Sequence, residues 1–189
     1  MNNKNLTIKK TFDAAYQNHK KNFFKIAENL YKEVLKSNPN HFGSIFYLGT
    51  LLVQTERFEL AKPLLHRATQ INPNYADAHN NLGAALKELG EYQGTINCCQ
   101  KAIQINPNYA DAHNNLGAAL KELGEYQKAI GCYEKAIQIQ PNHVDAHNNL
   151  GIILQELNRV NEAKQYFEKS LNLDQNHNKA CKVYENILF

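Results

Sequence analysis

Residues 72–93, NPNYADAHNNLGAALKELGEYQ, recur unchanged at 106–127, and an edited copy, QPNHVDAHNNLGIILQEL, begins at Gln140. A chain that copies itself every 34 residues is a stack of similar units, each burying its apolar face on its neighbours. The period extends beyond the copies. Pro39, Pro73, Pro107 and Pro141 are evenly spaced, and the pairs Leu48-Gly49, Leu82-Gly83, Leu116-Gly117 and Leu150-Gly151 fall at one phase between them. Small residues keep the same register at Ala61, Ala129 and Ala163, and again at Ala68, Ala102, Ala136 and Ser170.

Within one period the apolar spacing is helical. Ala78, Leu82, Ala85, Leu86 and Leu89 form a stripe at i, i+4, i+7, i+8 and i+11, and Tyr92, Ile96, Cys99, Ala102 and Ile103 form a second. Gly90 supplies the turn between the two helices. Pro107 ends the second helix, because it lacks an N–H and disfavours helical geometry in Asn106. The same pattern predicts helix pairs at 41–55 with 58–71, 109–123 with 126–139, and 143–157 with 160–173. A glycine inside a helix costs up to about 1 kcal/mol relative to alanine. Four at one phase therefore predict that the first and second helices of each pair approach too closely for a side chain.

The pattern HNNLGAAL, then AIGCYEKA, then Pro, between Ala110 and Pro141, resembles the tetratricopeptide repeat, a 34-residue helix-turn-helix. The resemblance covers residues 42–175 and implies an all-α, right-handed α-α superhelix. On that reading 1–189 is a single array. Repeat 1 is degenerate at 7–41, with Ala14-Ala15 where Leu-Gly would stand; repeats 2 to 5 occupy 42–75, 76–109, 110–143 and 144–177, and a capping helix closes it at 178–189. An end on Ile-Leu-Phe implies that the tail folds back or that the chain continues past Phe189. In repeat 3, Gly94-Thr95 and Cys99 replace Lys128-Ala129 and Tyr133 of its twin, which makes 93–105 the expected least stable helix of the centre by hydrogen exchange.

Composition narrows the function. With 21 basic and 18 acidic residues the net charge is +3 and the charges are scattered, which argues against nucleic acid as a partner. The polar N-terminus lacks an apolar leader segment and no stretch is long enough to span a bilayer, so the expectation is a soluble, cytoplasmic protein with no membrane partner. Cys98 and Cys132 hold equivalent places in adjacent repeats, where backbones lie about 8–10 Å apart, too far for a disulfide. Cys98, Cys99, Cys132 and Cys181 read as free thiols in a reducing compartment. His79, His113 and His147 also recur one repeat apart, which does not suit a shared metal; they stand where the family has an aromatic residue and are expected at the junction of the paired helices. No catalytic or cofactor-binding motif is present, so neither an active site nor a cofactor is expected.

The remaining regularity is polar. Asp77, Asp111 and Asp145 stand four residues before Asn81, Asn115 and Asn149, which places each pair on one face of the first helix. In tetratricopeptide proteins that face lines the concave groove. Asparagine carries donors and an acceptor, so a row of them can hold the backbone of an extended peptide without reading its side chains. The asparagine before Leu resembles the ladder in the repeat domain of O-linked N-acetylglucosamine transferase, and the carry-over falls on Asn81, Asn115 and Asn149. Tetratricopeptide clamps for chaperone C-terminal carboxylates use Lys or Arg instead; acidic residues here favour a neutral to basic protein or peptide. In repeat 2 the equivalent pair is Gly43 and Tyr47, with Phe46 beside it, an aromatic end that either anchors a bulky side chain or stacks on repeat 1. The leading expectation is a noncatalytic binding scaffold. Two others remain open: the substrate-recruiting arm of a glycosyl- or sulfotransferase, and a homo-oligomer assembled through the terminal helix or the outer helices.

Overall fold

The computed structural model describes residues 3–174. The expected capping helix and Cys181 lie outside them. Among the described residues there are ten helices and no strand: α1 (Asn3–Lys20), α2 (Phe24–Ser37), α3 (Phe42–Gln54), α4 (Phe58–Ile71), α5 (Ala76–Glu88), α6 (Tyr92–Ile105), α7 (Ala110–Glu122), α8 (Tyr126–Ile139), α9 (Val144–Glu156) and α10 (Val160–Leu173). Helices α3 to α10 begin and end within two residues of the positions read from Pro, Gly and the apolar stripes. Gly90 and Gly124 turn with φ of +75° and +77°, while Asn22, Glu56 and Asn158 take the same left-handed conformation between the other helix pairs.

The chain divides into two compact units, Met1–Glu91 and Tyr92–Phe189, so the first holds α1 to α5 and the second α6 to α10. In the first unit, successive helices pack on one another, and α1, α3 and α5 also touch side by side; α2 and α4 do not meet. In the second unit α7 and α9 touch in the same way, while α6, α8 and α10 stand apart from each other. Each unit is thus tighter along its odd-numbered helices and wider along its even-numbered ones, which makes the odd-numbered side the inner one.

The recurring glycines explain the hairpins. A Cβ on Gly49 would lie 2.8 Å from Leu65 Cγ, and one on Gly117 or Gly151 would lie 2.7 Å from the ring of Tyr133 or Phe167. The backbone of each first helix therefore rests on the large side chain of its partner, and the helix-propensity cost of about 1 kcal/mol is offset by that packing. Tyr133 and Phe167 are fully buried, with Leu150, Ile153 and Leu154 around them, and form the core of the second unit. Gly131 is different. It lies inside α8, yet a Cβ there would meet nothing within 4 Å.

The recurring histidines serve the turns. His79, His113 and His147 bring Nε2 to 2.9, 3.1 and 2.9 Å from the carbonyl oxygens of Pro73, Pro107 and Pro141. A carbonyl only accepts, so Nε2 carries the proton and ties each helix to the turn before it. His147 also meets the ring of Tyr166 on α10 at 5.9 Å, at the junction of paired helices.

Candidate functional site

On the inner side of the second unit, the asparagine face is built from two adjacent residues in each helix. Asn114 and Asn148 are buried between α7, α9 and their partners, whereas Asn115 and Asn149, one position on, are half-buried. Asn149 Nδ2 donates to Asn114 Oδ1 at 3.0 Å, so an amide on α9 is fixed by an amide on α7. The first unit uses another acceptor for the same purpose: Asn81 Nδ2 on α5 donates to Thr50 Oγ1 on α3 at 2.9 Å, and Thr50 in turn donates to the Phe46 carbonyl at 3.0 Å. Each of these amides has one hydrogen committed to a neighbouring inner helix. Asn148 Oδ1 is buried without a hydrogen-bond partner among the described residues.

The acidic positions are held individually. Asp111 projects into solvent with 63% of its side chain exposed, and its Oδ1 accepts from His143 Nε2 at 3.1 Å. His143 itself is buried, and its Nδ1 accepts the Ala146 N–H at 3.2 Å, capping α9. Because Nδ1 accepts, Nε2 must be the donor toward Asp111. That hydrogen bond, outweighing partial desolvation, holds the Asp111 carboxyl below the usual carboxylate range and keeps it ionised. In the first unit Asp77 lies in the field of Tyr75, whose phenol is pushed up to about 12, first by burial and then by that carboxylate. Asp145 is exposed on the first turn of α9.

The other inner residues of the first unit are aromatic. Gly43 stands where later repeats have aspartate, and the ring of Phe12 fills the space, 2.8 Å from where a Cβ would sit. Tyr47 lies 4.9 Å from Tyr16 and 6.1 Å from Phe12, ring centre to ring centre. His19 is buried beneath them; its Nε2 bonds Gln54 Oε1 at 2.8 Å and its Nδ1 faces the Tyr31 hydroxyl at 3.3 Å. Tyr16, His19, Lys20, Asn22, Tyr47, Thr50 and Gln54 line a cavity of roughly 250 Å³ between α1 and α3.

The expectation of Phe46 as an open anchor is corrected. Its ring is only 4% exposed, so it offers no open anchor. It stacks on Phe42 at 6.0 Å and meets the edges of Tyr47 and Tyr75, each at 5.0 Å. The accessible aromatic residue of the expected pair is Tyr47. Sequence periodicity missed His143 and Phe12, which come from another turn and another helix, and Asn114, which stands one position before Asn115 on α7. None of the three described cysteines is in a disulfide, and burial pushes the thiols of Cys98 and Cys132 up to about 11. They are neutral and unreactive near pH 7. No described helix is long and apolar enough to cross a membrane.

Models described as tetratricopeptide repeat match residues 76–109 and 108–176, and one described as TPR repeat matches 49–90. Comparison with curated proteins gives no match. Among solved structures, a crystal structure of MamA protein is 31% identical, with 92% of this chain and 94% of that one covered and a TM-score of 0.75. TTC0263, a thermophilic TPR protein of Thermus thermophilus, is 19% identical over 96% of this chain and 98% of its own, with a TM-score of 0.78. YrrB, described as a TPR protein with an unusual peptide-binding site, is 20% identical over 93% and 90%, with a TM-score of 0.71. At such identities the last two likenesses concern the fold.

Proposed function

Because the chain belongs to the tetratricopeptide repeat family, we propose that it is a noncatalytic scaffold whose inner helix faces hold an extended segment of another protein. The observation that carries this reading is the fixed amide on each inner face: Asn149 is anchored on Asn114 and Asn81 on Thr50. An amide oriented before the ligand arrives loses less rotamer freedom on binding, which is the gain of preorganisation. Its second N–H and its carbonyl suit the C=O and N–H of a peptide backbone. Asn115 stands at the same place on α7, which gives the second unit two such amides. The proposal carries to these residues the role of the asparagine ladder in the O-linked N-acetylglucosamine transferase repeat domain, which the sequence pattern resembles.

Charge gives the ligand its sign. Asp77, Asp111 and Asp145 occupy the inner helices, and Asp111 is kept ionised by the His143 N–H. A neutral or basic peptide gains charge-assisted hydrogen bonds there and an acidic one is repelled. Tyr47 and Tyr16 give the first unit an aromatic surface suited to an apolar or cationic side chain. YrrB, with its peptide-binding site on the same fold, makes a peptide ligand a natural choice.

The test is fluorescence anisotropy with labelled extended peptides of basic, neutral and acidic composition. Basic peptides should bind best, and a variant with Asn81, Asn115 and Asn149 all changed to Ala, folded by circular dichroism, should bind at least ~10-fold more weakly, the size expected for lost hydrogen bonds. Unchanged affinity in that variant would remove the asparagines from the mechanism.

A further inference from the structure

The outer side of the second unit carries a groove that the proposed peptide face does not use. Helices α6 and α8 do not meet. Between them, over α7, lies a cavity of roughly 690 Å³ lined by Gln100, Ile103 and Gln104 of α6, His113 and Leu116 of α7, and Lys128, Gly131, Cys132 and Lys135 of α8. Ile103, Leu116 and Cys132 supply apolar surface. Two lysines and no carboxylate line the groove. Lys128 has its ammonium on Glu125, an exposed pair that exchanges partners at little cost, and Lys135 donates to neutral Gln138 at 2.9 Å.

Gly131 is what makes this groove distinctive. Every other mid-helix glycine with a close neighbour is excused by the ring or side chain pressed against it, and Gly131 has no such neighbour and no positive φ. The residues 34 positions away on either side are Asn97 and Gln165, so a long polar side chain is compatible with the fold at this place. A glycine there removes the one side chain that would stand in the groove, leaving helix backbone open to close approach.

We propose that this groove is a second binding site, which receives an acidic amphipathic segment of a partner protein. An apolar side chain of the segment rests on Ile103, Leu116 and Cys132 across Gly131, and its flanking carboxylates pair with Lys128 and Lys135. The preference is opposite in sign to that of the aspartate-bearing inner faces, so the two sites discriminate between ligands, and this one does not depend on the asparagines.

The probe is a synthetic acidic octapeptide with Leu-Phe at its centre and Asp or Glu on both sides, titrated into the full chain and followed by amide shifts and anisotropy. A counterpart with Lys in place of the acids and another with Ser-Ser at the centre serve as comparisons. The expected result is saturable shifts at Ile103, Gly131, Cys132 and Lys135. Binding should fall at least ~10-fold for Gly131→Gln and by a similar factor for the Lys128→Glu, Lys135→Glu pair, as for loss of a filled pocket or of charge-assisted bonds. Gly131→Gln should keep or raise Tm, because glutamine is the better helix former, so lost binding cannot come from unfolding. Equal binding of the basic counterpart, unchanged affinity in Gly131→Gln, or shifts confined to the Asn115 and Asn149 faces would overturn the proposal. Concentration-dependent self-association abolished by Gly131→Gln would also overturn it, by making the occupant a second copy of this chain.

Discussion

The α1 and α3 part of the first unit's inner face is made of rings and the inner face of the second unit of amides, although both rest on the same hairpin. In the first, Phe12, Tyr16 and Tyr47 cover α1 and α3, and Gly43 yields its space to Phe12. In the second, Asn114, Asn149, Asp111 and His143 cover α7 and α9 with directed hydrogen bonds. What is common lies one layer deeper: Gly49 on Leu65, Gly117 on Tyr133, Gly151 on Phe167. The difference teaches that the hairpin interior sets the scaffold while face positions vary in chemistry. The two faces should then differ in how they contribute to stability, the rings by area buried and the amides by direction.

The largest effect should separate them directly. Phe12→Ala removes a half-buried ring packed against His41 at 4.9 Å and Tyr47 at 6.1 Å. It should destabilise the first unit by roughly 2–3 kcal/mol, at or just below the lower limit for aromatic truncation because the ring is not fully buried. Asn114→Ala in the second unit leaves the Asn149 N–H without its acceptor and should cost about 1 kcal/mol. Urea unfolding followed residue by residue through amide resonances would compare the two. Equal losses would mean that the faces are energetically alike and that the contrast is only chemical.

A second substitution moves one face toward the other. Gly43→Asp installs the residue of repeats 3 to 5, and its Cβ would come to 2.8 Å from Phe12 Cζ, so the ring must leave its place. A cost of about 2 kcal/mol is expected from overpacking. The double variant Phe12→Ala, Gly43→Asp should lose less than the sum of the two, because the first change makes the room that the second needs. Simple additivity in urea midpoints would show that Phe12 does not hold that space.

How much of this was legible depends on the distance over which the relevant physics acts. Helix ends at 42–54, 58–71 and onward follow from Pro, Gly and apolar stripes, which act within a few residues, and they agree with the structure closely. The close approach at Gly49, Gly117 and Gly151 was also readable, since four helix-breaking residues at one phase need a packing reason. The faces were harder. Asn114 and Asn115 differ by one position, about 100° around a helix, and which of them is buried depends on a neighbouring helix. Gly43 was visible as a missing aspartate, yet the ring that fills it comes from α1, some thirty residues away. His143 is a poor N-cap by residue type, so its bond to Ala146 gave no sequence signal. Gly131 stands out of phase with the recurring glycines, Asn97 and Gln165 lying 34 residues to either side, but that its face is open is visible only in the structure.

The smallest effect concerns protons, and it can be assigned to each unit. His41 in the first unit has its pKa lowered by burial, and its Nδ1 accepts the Ser44 N–H at 3.2 Å, capping α3. His147 in the second is also lowered, chiefly by burial, against the opposing pull of the Pro141 carbonyl. In both, the folded-state pKa lies below the unfolded value of about 6.5. Folding therefore favours the neutral ring: this contribution to stability is full above pH ~6.5 and is lost as the pH falls through the folded-state pKa. Protonation of His41 would in addition occupy the lone pair that caps α3. Urea midpoints should be level between pH 8 and 7 and decline toward pH 5. His41→Asn keeps a capping acceptor without a titrating ring, so in this variant the amides of α3 should lose the decline while those of α9 retain it. If α3 declined as before, the proton would be acting elsewhere in the first unit, and the ring face would have no titrating cap at its edge.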